Sequence, residues 1–373
     1  MKIGHLFWQP IADVNNSHVD RLRETEKLVD LCEEHGFWGV SFGENHFSNY
    51  GLSPNPILLA VGLGRRTRRL NISTGIAVLP FWNPIRLAED AATADLLLDG
   101  RFELGVGRGY QCLEFEGLNV PIGERQARFD EALDIMLRAW TQPEVEHSGQ
   151  YYHVPRAVNV LPKSLTKPHP RLYVATSTEE SVRAAAHYDF KVFAASISTA
   201  SEVSSNRLIY LDERKRLGKV GDFFTPAMNR QVYVVDSSDP AKIEEARESV
   251  VRRGLALFRF GIGLKRGTIR YEAGQIFEDP LPGEPDPETV ASRAIFGSPD
   301  MVIEQLLVLR DEVGVEEFNV MTEHGFLSFD EARRSVELIG KEVIPALEAQ
   351  APPAKKSGEA GSPREVETDV VKE

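Results

Sequence analysis

Short apolar runs alternate with amphipathic stretches along most of this chain, and this alternation restricts its fold more than any other feature. The runs have the length of buried strands, and helical patterns lie between them. They cover residues 2–8, 37–42, 70–79, 102–106, 172–175, 190–194, 231–235 and 317–321. Strands that alternate with helices form parallel βαβ units. Eight such units in one chain predict an α/β fold, the (β/α)8 TIM barrel.

Two segments depart from this alternation. Residues 145–160 carry Gly149 between short β-like runs, which predicts a hairpin inserted between repeats. Residues 258–291, after strand seven, contain several glycines and prolines, so we expect a long segment that is either a lid or a surface excursion. Residues 349–373 are rich in Pro, Gly, Lys and Glu, which predicts a disordered tail. We therefore expect one domain over residues 1–348.

Charge and cysteine usage restrict the partners and the compartment. The 373 residues carry a net charge of −13, whereas nucleic acids and anionic membranes require a cationic surface. Cys32 and Cys112 are the only cysteines, so the sequence supports neither a disulfide framework nor a cysteine metal site. The N-terminus lacks the pattern of a signal peptide, and no apolar run approaches membrane-spanning length. We expect a cytoplasmic protein that acts on small molecules.

Several polar residues follow the predicted strands directly, where a barrel of this kind carries its active site. Glu44, Asn45 and His46 follow strand two, and Arg108 and Tyr110 follow strand four. The same rule selects a further set, namely Trp8, Thr74, Gly75, Ile76, Thr176, Ser177, Glu323 and His324. We therefore expect these groups to converge on one face of the barrel.

Arg108 lies between Gly107 and Gly109, in a loop that opens from a buried strand. The glycines allow the backbone to approach a ligand closely, and a guanidinium suits a phosphate or a carboxylate. The residues alone equally permit an ordinary turn whose arginine pairs with a surface carboxylate.

His46 could give or take a proton or stabilise an anion, although a lone loop histidine is more often inert. Thr176 and Ser177 precede a helix, so their hydroxyls and the backbone N–H groups there could hold an anion, cap the helix, or do both. The chain has no histidine spacing typical of a metal site, no dinucleotide fingerprint, no P-loop and no nucleophile elbow.

Five motifs in order carry a family resemblance. They are Glu44-Asn45-His46-Phe47 with Gly51-Leu52-Ser53-Pro54-Asn55-Pro56, then Thr74-Gly75-Ile76-Ala77-Val78-Leu79-Pro80, Pro84-Ile85-Arg86-Leu87-Ala88-Glu89-Asp90, Gly100-Arg101-Phe102, and Gly105-Val106-Gly107-Arg108-Gly109. In this combination, over about residues 1–347, the chain resembles the bacterial-luciferase-like flavin-dependent monooxygenase family.

The resemblance implies a barrel with a lid after strand seven that uses reduced FMN from a separate flavin reductase. Oxygen would add to the flavin to give a C4a-peroxyflavin, which attacks an aldehyde, a ketone or another small organic substrate. By position, Arg108 matches the residue that grips the flavin phosphate, and Thr176 and Ser177 match its neighbours. Tyr110 is a further cofactor-binding candidate. Gly75-Ile76 falls where the family often has a non-prolyl cis peptide beneath the flavin ring.

Two departures limit what the resemblance implies about catalysis. Asn45 stands where the light-emitting relatives have their catalytic histidine, and Gly107 stands where they have a reactive cysteine. An amide can hydrogen-bond a peroxide but cannot shuttle protons at neutral pH. We therefore assign proton chemistry to His46, with Glu44 beside it and Glu114 as a weaker acidic candidate. Asn45 is the fourth catalytic candidate, as a hydrogen-bond donor.

Three alternatives stay open at the level of sequence. A subset of the family uses the deazaflavin F420 for hydride transfer, so the chain could be an F420-dependent oxidoreductase. The chain could also be the non-catalytic subunit of a luciferase-like heterodimer, but the presence of Arg108, Glu44 and His46 argues against this. Small residues in the helices after strands two and three permit either a homodimer or packing within the chain: Ala60, Gly62, Gly64, Ala88, Ala91, Ala92 and Ala94. The substrate pocket would be formed by Trp8, Phe81, Trp82 and the lid.

Overall fold

The fold is described from a computed structural model of the chain. It describes residues 1–11, 17–176, 178–194, 198–220, 224, 226–266, 283–323 and 327–350.

Eight parallel strands close into a barrel. Their order around the ring is β1, β2, β3, β5, β8, β9, β10 and β12, and β12 pairs with β1 to complete the closure. The strands of the described chain are β1 (Lys2–Phe7), β2 (Gly39–Phe42), β3 (Asn71–Thr74), β4 (Ala77–Val78), β5 (Phe102–Gly107), β6 (Val145–Ser148), β7 (His153–Val158), β8 (Arg171–Thr176), β9 (Lys191–Ala194), β10 (Pro226–Val234), β11 (Ile295–Gly297) and β12 (Glu317–Met321). The predicted TIM barrel is therefore confirmed.

Helices cover the outside of the barrel. Those described are α1 (His18–Glu34), α2 (Pro56–Gly64), α3 (Pro84–Leu97), α4 (Cys112–Gly117), α5 (Arg125–Thr141), α6 (Glu179–Tyr188), α7 (Ala200–Arg216), α8 (Pro240–Arg266), α9 (Pro287–Ser292), α10 (Pro299–Val308), α11 (Phe329–Leu338) and α12 (Ile344–Ala349). Several begin at a polar N-cap residue. The Ser17 hydroxyl accepts a hydrogen bond from the Asp20 N–H at 3.1 Å, which satisfies a backbone donor in the first turn of α1.

The predicted third strand, residues 70–79, is broken in two. β3 ends at Thr74, the peptide between Gly75 and Ile76 is cis, and β4 resumes at Ala77. At the break, the Thr74 hydroxyl accepts a hydrogen bond from the Gly105 N–H at 2.9 Å and donates one to the Gly105 carbonyl at 2.8 Å. One side chain thus replaces the backbone pairing with β5 that the break removes.

The predicted hairpin is present as the antiparallel pair β6–β7. A half-buried glutamate of α5 ties it to that helix, because Glu131 accepts hydrogen bonds from the Tyr152 N–H at 2.9 Å and from His147 at 3.0 Å. These contacts hold the insertion against the outer helical layer.

Three predicted boundaries need correction. Strand seven begins at Pro226 rather than at residue 231, and α8 continues to Arg266 instead of ending near residue 253. The expected lid from residue 258 is therefore wrong at its start, since its first part is helical, and residues 287–292 form α9. Residues 267–282 of that segment, and residues 351–373 of the expected tail, lie outside the described residues; residues 344–349 form α12.

The amino ends of the strands are closed by charged groups. Inside the barrel, the Lys191 ammonium lies 3.1 Å from the Glu103 carboxylate and 2.8 Å from that of Glu317. Above this layer the interior is apolar, with Leu6, Tyr173 and Phe193 among its buried side chains. Since this lower end is filled by side chains, ligands would have to enter from the opposite end. Among the described helices, none combines the length and apolarity needed to cross a membrane.

Candidate active site

Glu44 and His46 form a hydrogen-bonded pair just after β2. His46 Nε2 lies 3.0 Å from Glu44 Oε1. The same carboxylate accepts a hydrogen bond from the Val78 N–H at 2.8 Å and one from Trp82 Nε1 at 2.9 Å. Because the carboxylate faces Nε2, the proton of the neutral ring lies on that nitrogen, and Nδ1 is the ring atom that can take up a proton.

Burial and charge shift the titration of this pair. Burial raises the pKa of Glu44, and its three hydrogen-bond donors act against that rise. Burial also disfavours the charged form of His46. The hydrogen bond and the charge of Glu44, together with the charge of Glu114, outweigh that effect and raise the pKa of His46 above its usual value. Both groups of the pair therefore keep a proton to higher pH than they would in water.

Glu114 reaches the same place from α4, 68 residues further along the chain. Its Oε1 accepts a hydrogen bond from the His46 backbone N–H at 2.9 Å. Only 2% of the residue is exposed, and this burial raises the pKa of the carboxyl group to about 7. Glu114 is therefore poised to exchange a proton near neutral pH. The structure brings together three of the four residues that the sequence selects for catalysis.

The fourth, Asn45, is also buried here but faces a different partner. Its side-chain oxygen accepts a hydrogen bond from Gln111 Nε2 at 3.2 Å. Sequence reasoning missed Gln111, because a single glutamine in a polar loop carries no motif that would single it out.

Arg108 lies at the amino end of α6. Its guanidinium contacts Gln126 Oε1 at 2.8 Å and the hydroxyl of Thr178, the N-cap of α6, at 3.4 Å. Gly109 has φ of +73°, a conformation that favours glycine and turns the chain directly after the arginine. Arg108 pairs here with amide and hydroxyl groups, whereas the ordinary-turn alternative expected a surface carboxylate.

A buried hydroxyl without a partner lies at the end of β8. Thr176 is 2% exposed, and its Oγ1 has no hydrogen-bond partner among the described residues. A guanidinium, the amino end of a helix and an unpaired hydroxyl are together groups that suit a phosphate. These residues therefore fit the phosphate end of a flavin. Ser177, the fourth expected donor, lies outside the described residues.

Gly75, Ile76 and Gly107 shape the centre of the barrel mouth. The cis peptide that the resemblance implies is present between Gly75 and Ile76. A Cβ added at Gly107 would lie 2.5 Å from Ile76 Cδ1, so the isoleucine occupies the space that a cysteine side chain would need. Ile76 therefore leaves no room for a cysteine side chain at position 107.

Aromatic and apolar side chains surround the mouth. The Trp8 and Tyr50 rings lie 5.3 Å apart, and Tyr50 stacks on Phe260 of α8 at 5.5 Å. Leu113 and Leu257 complete this group, which we call the aromatic wall. Sequence reasoning selected Trp8 and the lid, residues 258–291, for the substrate pocket, and Phe260 belongs to that segment. It missed Tyr50, which lies in the turn-rich stretch before α2 and matches no motif.

Other selected residues take different positions. Trp82 Nε1 donates a hydrogen bond to the Glu44 carboxylate, and the Phe81 ring packs edge-on against the His46 ring at a centroid distance of 5.7 Å. Tyr110 is 41% exposed at the rim. Glu323 forms an ion pair with Arg21 of α1 at 2.6 Å, and His324 lies outside the described residues. Within the part of the chain that the structure describes, no cluster of His, Cys, Asp and Glu could hold a metal ion.

Similar proteins were found by sequence and by structure. The sequence profile of the luciferase-like monooxygenases matches residues 1–317. The oxygenase component of the flavin-dependent trigonelline monooxygenase of Acinetobacter baylyi is 25% identical over 347 residues, which cover 88% of this chain and 94% of that protein. Monooxygenase RslO1 of Streptomyces bottropensis has a TM-score of 0.79 at 26% identity, over 93% of this chain and 99% of its own.

Two further solved structures share the fold. The oxygenating constituent of 3,6-diketocamphane monooxygenase of Pseudomonas putida, in complex with FMN, has a TM-score of 0.71 at 20% identity over 92% of this chain and 98% of its own. An F420-dependent secondary alcohol dehydrogenase has the same TM-score at 16% identity, over 93% of this chain and 98% of its own.

Proposed function

Because this chain belongs to the luciferase-like monooxygenase family, we propose that it uses reduced FMN and O2 to oxygenate a small organic substrate such as an aldehyde or a ketone. The chain is an enzyme of the flavin-dependent monooxygenase type. The observation that carries the proposal is the set of phosphate donors at Arg108 and Thr176, on the same barrel face as the buried Glu44–His46–Glu114 group.

Cofactor binding is assigned to the residues around the barrel mouth. Arg108 and Thr176, with Ser177 and the N–H groups of α6, would hold the phosphate, and Tyr110 would lie at the rim. Gly75 and Ile76 would support the flavin ring. Bound reduced FMN supplies the capacity to activate oxygen.

Proton handling is assigned to the buried acidic group. His46 would take or release a proton at Nδ1 while Glu44 holds Nε2 and fixes the orientation of the ring. Glu114 can exchange a proton near neutral pH and lies against the backbone of His46. Asn45 can donate a hydrogen bond but cannot move a proton, so its role is binding.

The proposal includes two protein partners and a compartment. A separate flavin reductase would supply reduced FMN, as expected for an oxygenase component. We propose a homodimer through α2 and α3, which expose Leu58 and Leu97 at 71% and 43%. The small residues Ala60, Ala88, Ala91, Ala92 and Ala94 do not support it, because all are buried within this chain. Two free cysteines agree with the cytoplasm.

A reconstitution experiment tests the function. Purified protein is mixed with enzymatically reduced FMN under oxygen, and the flavin spectrum and oxygen consumption are followed with a panel of aldehydes and ketones. We expect slower flavin reoxidation than in free solution and incorporation of one atom of 18O2 into product. Rapid reoxidation without product, together with tight binding of F420, would favour hydride transfer on the same fold.

Arg108→Ala tests the anchor directly. We expect FMN affinity to fall about tenfold or more, because a charge-assisted phosphate contact is lost from a loop, while the melting temperature changes little. Arg23→Ala, which removes an arginine whose side chain is 67% exposed on α1, is the matched control. Equal affinity of parent and Arg108→Ala in equilibrium titrations would contradict the assignment.

A further inference from the structure

Asn45 and Gln111 form a buried amide pair that the functional assignments leave incompletely explained. Each residue is 2% exposed. Gln111 Nε2 donates to Asn45 Oδ1 at 3.2 Å, and Asn45 Nδ2 and Gln111 Oε1 then have no hydrogen-bond partner among the described residues. If both amides are rotated, one N–H group and one carbonyl group again remain. Either way, the pair offers one donor beside one acceptor.

The unpaired amide group lies beside the aromatic wall. A Cβ built on Gly51 would be 2.6 Å from Asn45 Nδ2 and 2.9 Å from Cδ1 of Trp8, which places the amide nitrogen next to the indole. Trp8 contacts Tyr50 and also packs with Ile76 inside the barrel. The wall therefore extends from the expected flavin ring position to α8, with the amide pair at its edge.

These two features together select a ligand chemistry. Aromatic walls favour flat rings, which gain stacking and edge contacts beyond simple area burial. A buried donor and acceptor that lack partners penalise any ligand without the complementary groups, because they stay unpaired.

We propose that the substrate is a planar aromatic ring carrying a hydrogen-bond donor beside a carbonyl acceptor, as in a lactam of the 2-pyridone type, and that Asn45 and Gln111 recognise this edge. This inference rests on the proposed function, because it names a class for the small organic substrate. The ring lies against Trp8, Tyr50 and Phe260. In the amide orientation of this structure, the carbonyl accepts from Asn45 Nδ2, and the N–H or O–H donates to Gln111 Oε1.

Three probes separate the components of this recognition. 2-Pyridone has the aromatic ring and both polar groups, N-methyl-2-pyridone lacks the donor, and 2-piperidone keeps the polar edge without the aromatic ring. The protein saturated with oxidised FMN is titrated with each, by calorimetry and by tryptophan fluorescence. We expect 2-pyridone to bind about tenfold more tightly than either of the others.

Variants assign the preference to residues. Gln111→Leu should lower the affinity for 2-pyridone about tenfold and leave that for N-methyl-2-pyridone unchanged. Gln305→Leu, which removes an amide of α10 that donates to the Phe296 and Met301 carbonyls at 2.9 Å, should change neither affinity. The Trp8→Leu variant should bind 2-pyridone and 2-piperidone equally tightly, and it should still bind 2-pyridone more tightly than N-methyl-2-pyridone.

Two results would overturn the inference. One is equal binding of the three probes by the parent, and the other is a preference that survives in Gln111→Leu, which would assign the amide pair to an ordered water. If Gln111→Leu fails to fold, the Trp8→Leu comparison and the parent titrations decide. FMN affinity is measured in the same samples. If the parent does not bind FMN, the proposed function is refuted. If the parent binds FMN but binds the three probes equally, only this inference is refuted.

Discussion

At the scale of single residues, His46 is the group on which the proposed chemistry depends. We expect His46→Ala to lower turnover by about two to four orders of magnitude, the usual contribution of a general acid or base, with FMN affinity changed less than about twofold. Steady-state rates and FMN titrations of the same preparation measure the two effects. The exposed histidine of β7 provides the control, so His153→Ala should leave both unchanged.

Glu44→Gln tests whether the carboxylate tunes that histidine. Because Glu44 raises the pKa of His46 through a hydrogen bond and its charge, the amide should move the pH–rate profile to lower pH. A pH–rate profile that does not move in Glu44→Gln would show that the 3.0 Å contact does not set the pKa of His46.

Turnover that survives in His46→Ala would contradict the role of His46 and would make Glu114 the better candidate for the proton transfer.

At the scale of elements, the junction between β3 and β5 depends on Thr74, which is fully buried. We expect Thr74→Val to reduce the free energy of unfolding by about 2–4 kcal/mol, because it leaves the Gly105 N–H and carbonyl unpaired at nearly constant volume. Urea unfolding measures this difference. Thr141→Val, at an exposed position at the end of α5, removes a hydroxyl that bonds one helix carbonyl, and it should change stability by less than about 0.5 kcal/mol. Similar losses in the two variants would contradict the role of Thr74.

The same elements show what sequence can and cannot predict. The inserted hairpin and the alternation of eight strands with helices follow from patterns local in the chain, and the structure confirms them. The break after Thr74 is hidden inside a continuous apolar run. The extension of α8 was missed because its glycines resemble a loop, whereas Leu257 and Phe260 hold it against the barrel mouth through contacts distant in sequence.

The contacts of the candidate site also divide into those that the sequence predicts and those that it does not. Glu44 and His46 are two positions apart after one strand, so their pairing could be anticipated from the sequence. Gln111 reaches Asn45 across 66 positions, and no spacing rule predicts that contact. The Glu114 contact with the His46 backbone spans 68 positions, and only the family resemblance pointed to this residue.

At the scale of the whole molecule, Glu114 links the active site to the pH dependence of folding. Its carboxyl has a pKa of about 7 in the folded chain, against 4.5 as its ordinary value. The folded state therefore binds a proton that the unfolded state releases. Stability from this group is fully present at acidic pH and declines as pH rises from about 4.5 to about 7.

Glu114→Gln should remove that decline, because the amide can still accept from the His46 N–H but carries no charge. Between pH 5 and pH 8 the variant should gain about 2 kcal/mol of unfolding free energy relative to the parent, as measured by urea unfolding at both values. Groups that do not sense the charge of Glu114 cancel in this comparison, whereas His46, whose pKa that charge raises, does not cancel completely. Glu116→Gln, on the exposed side of the same helix, should show no such relative gain. Parallel stability curves for parent and Glu114→Gln would mean that the buried carboxyl does not hold its proton at neutral pH, and would remove it from the proposed proton chemistry.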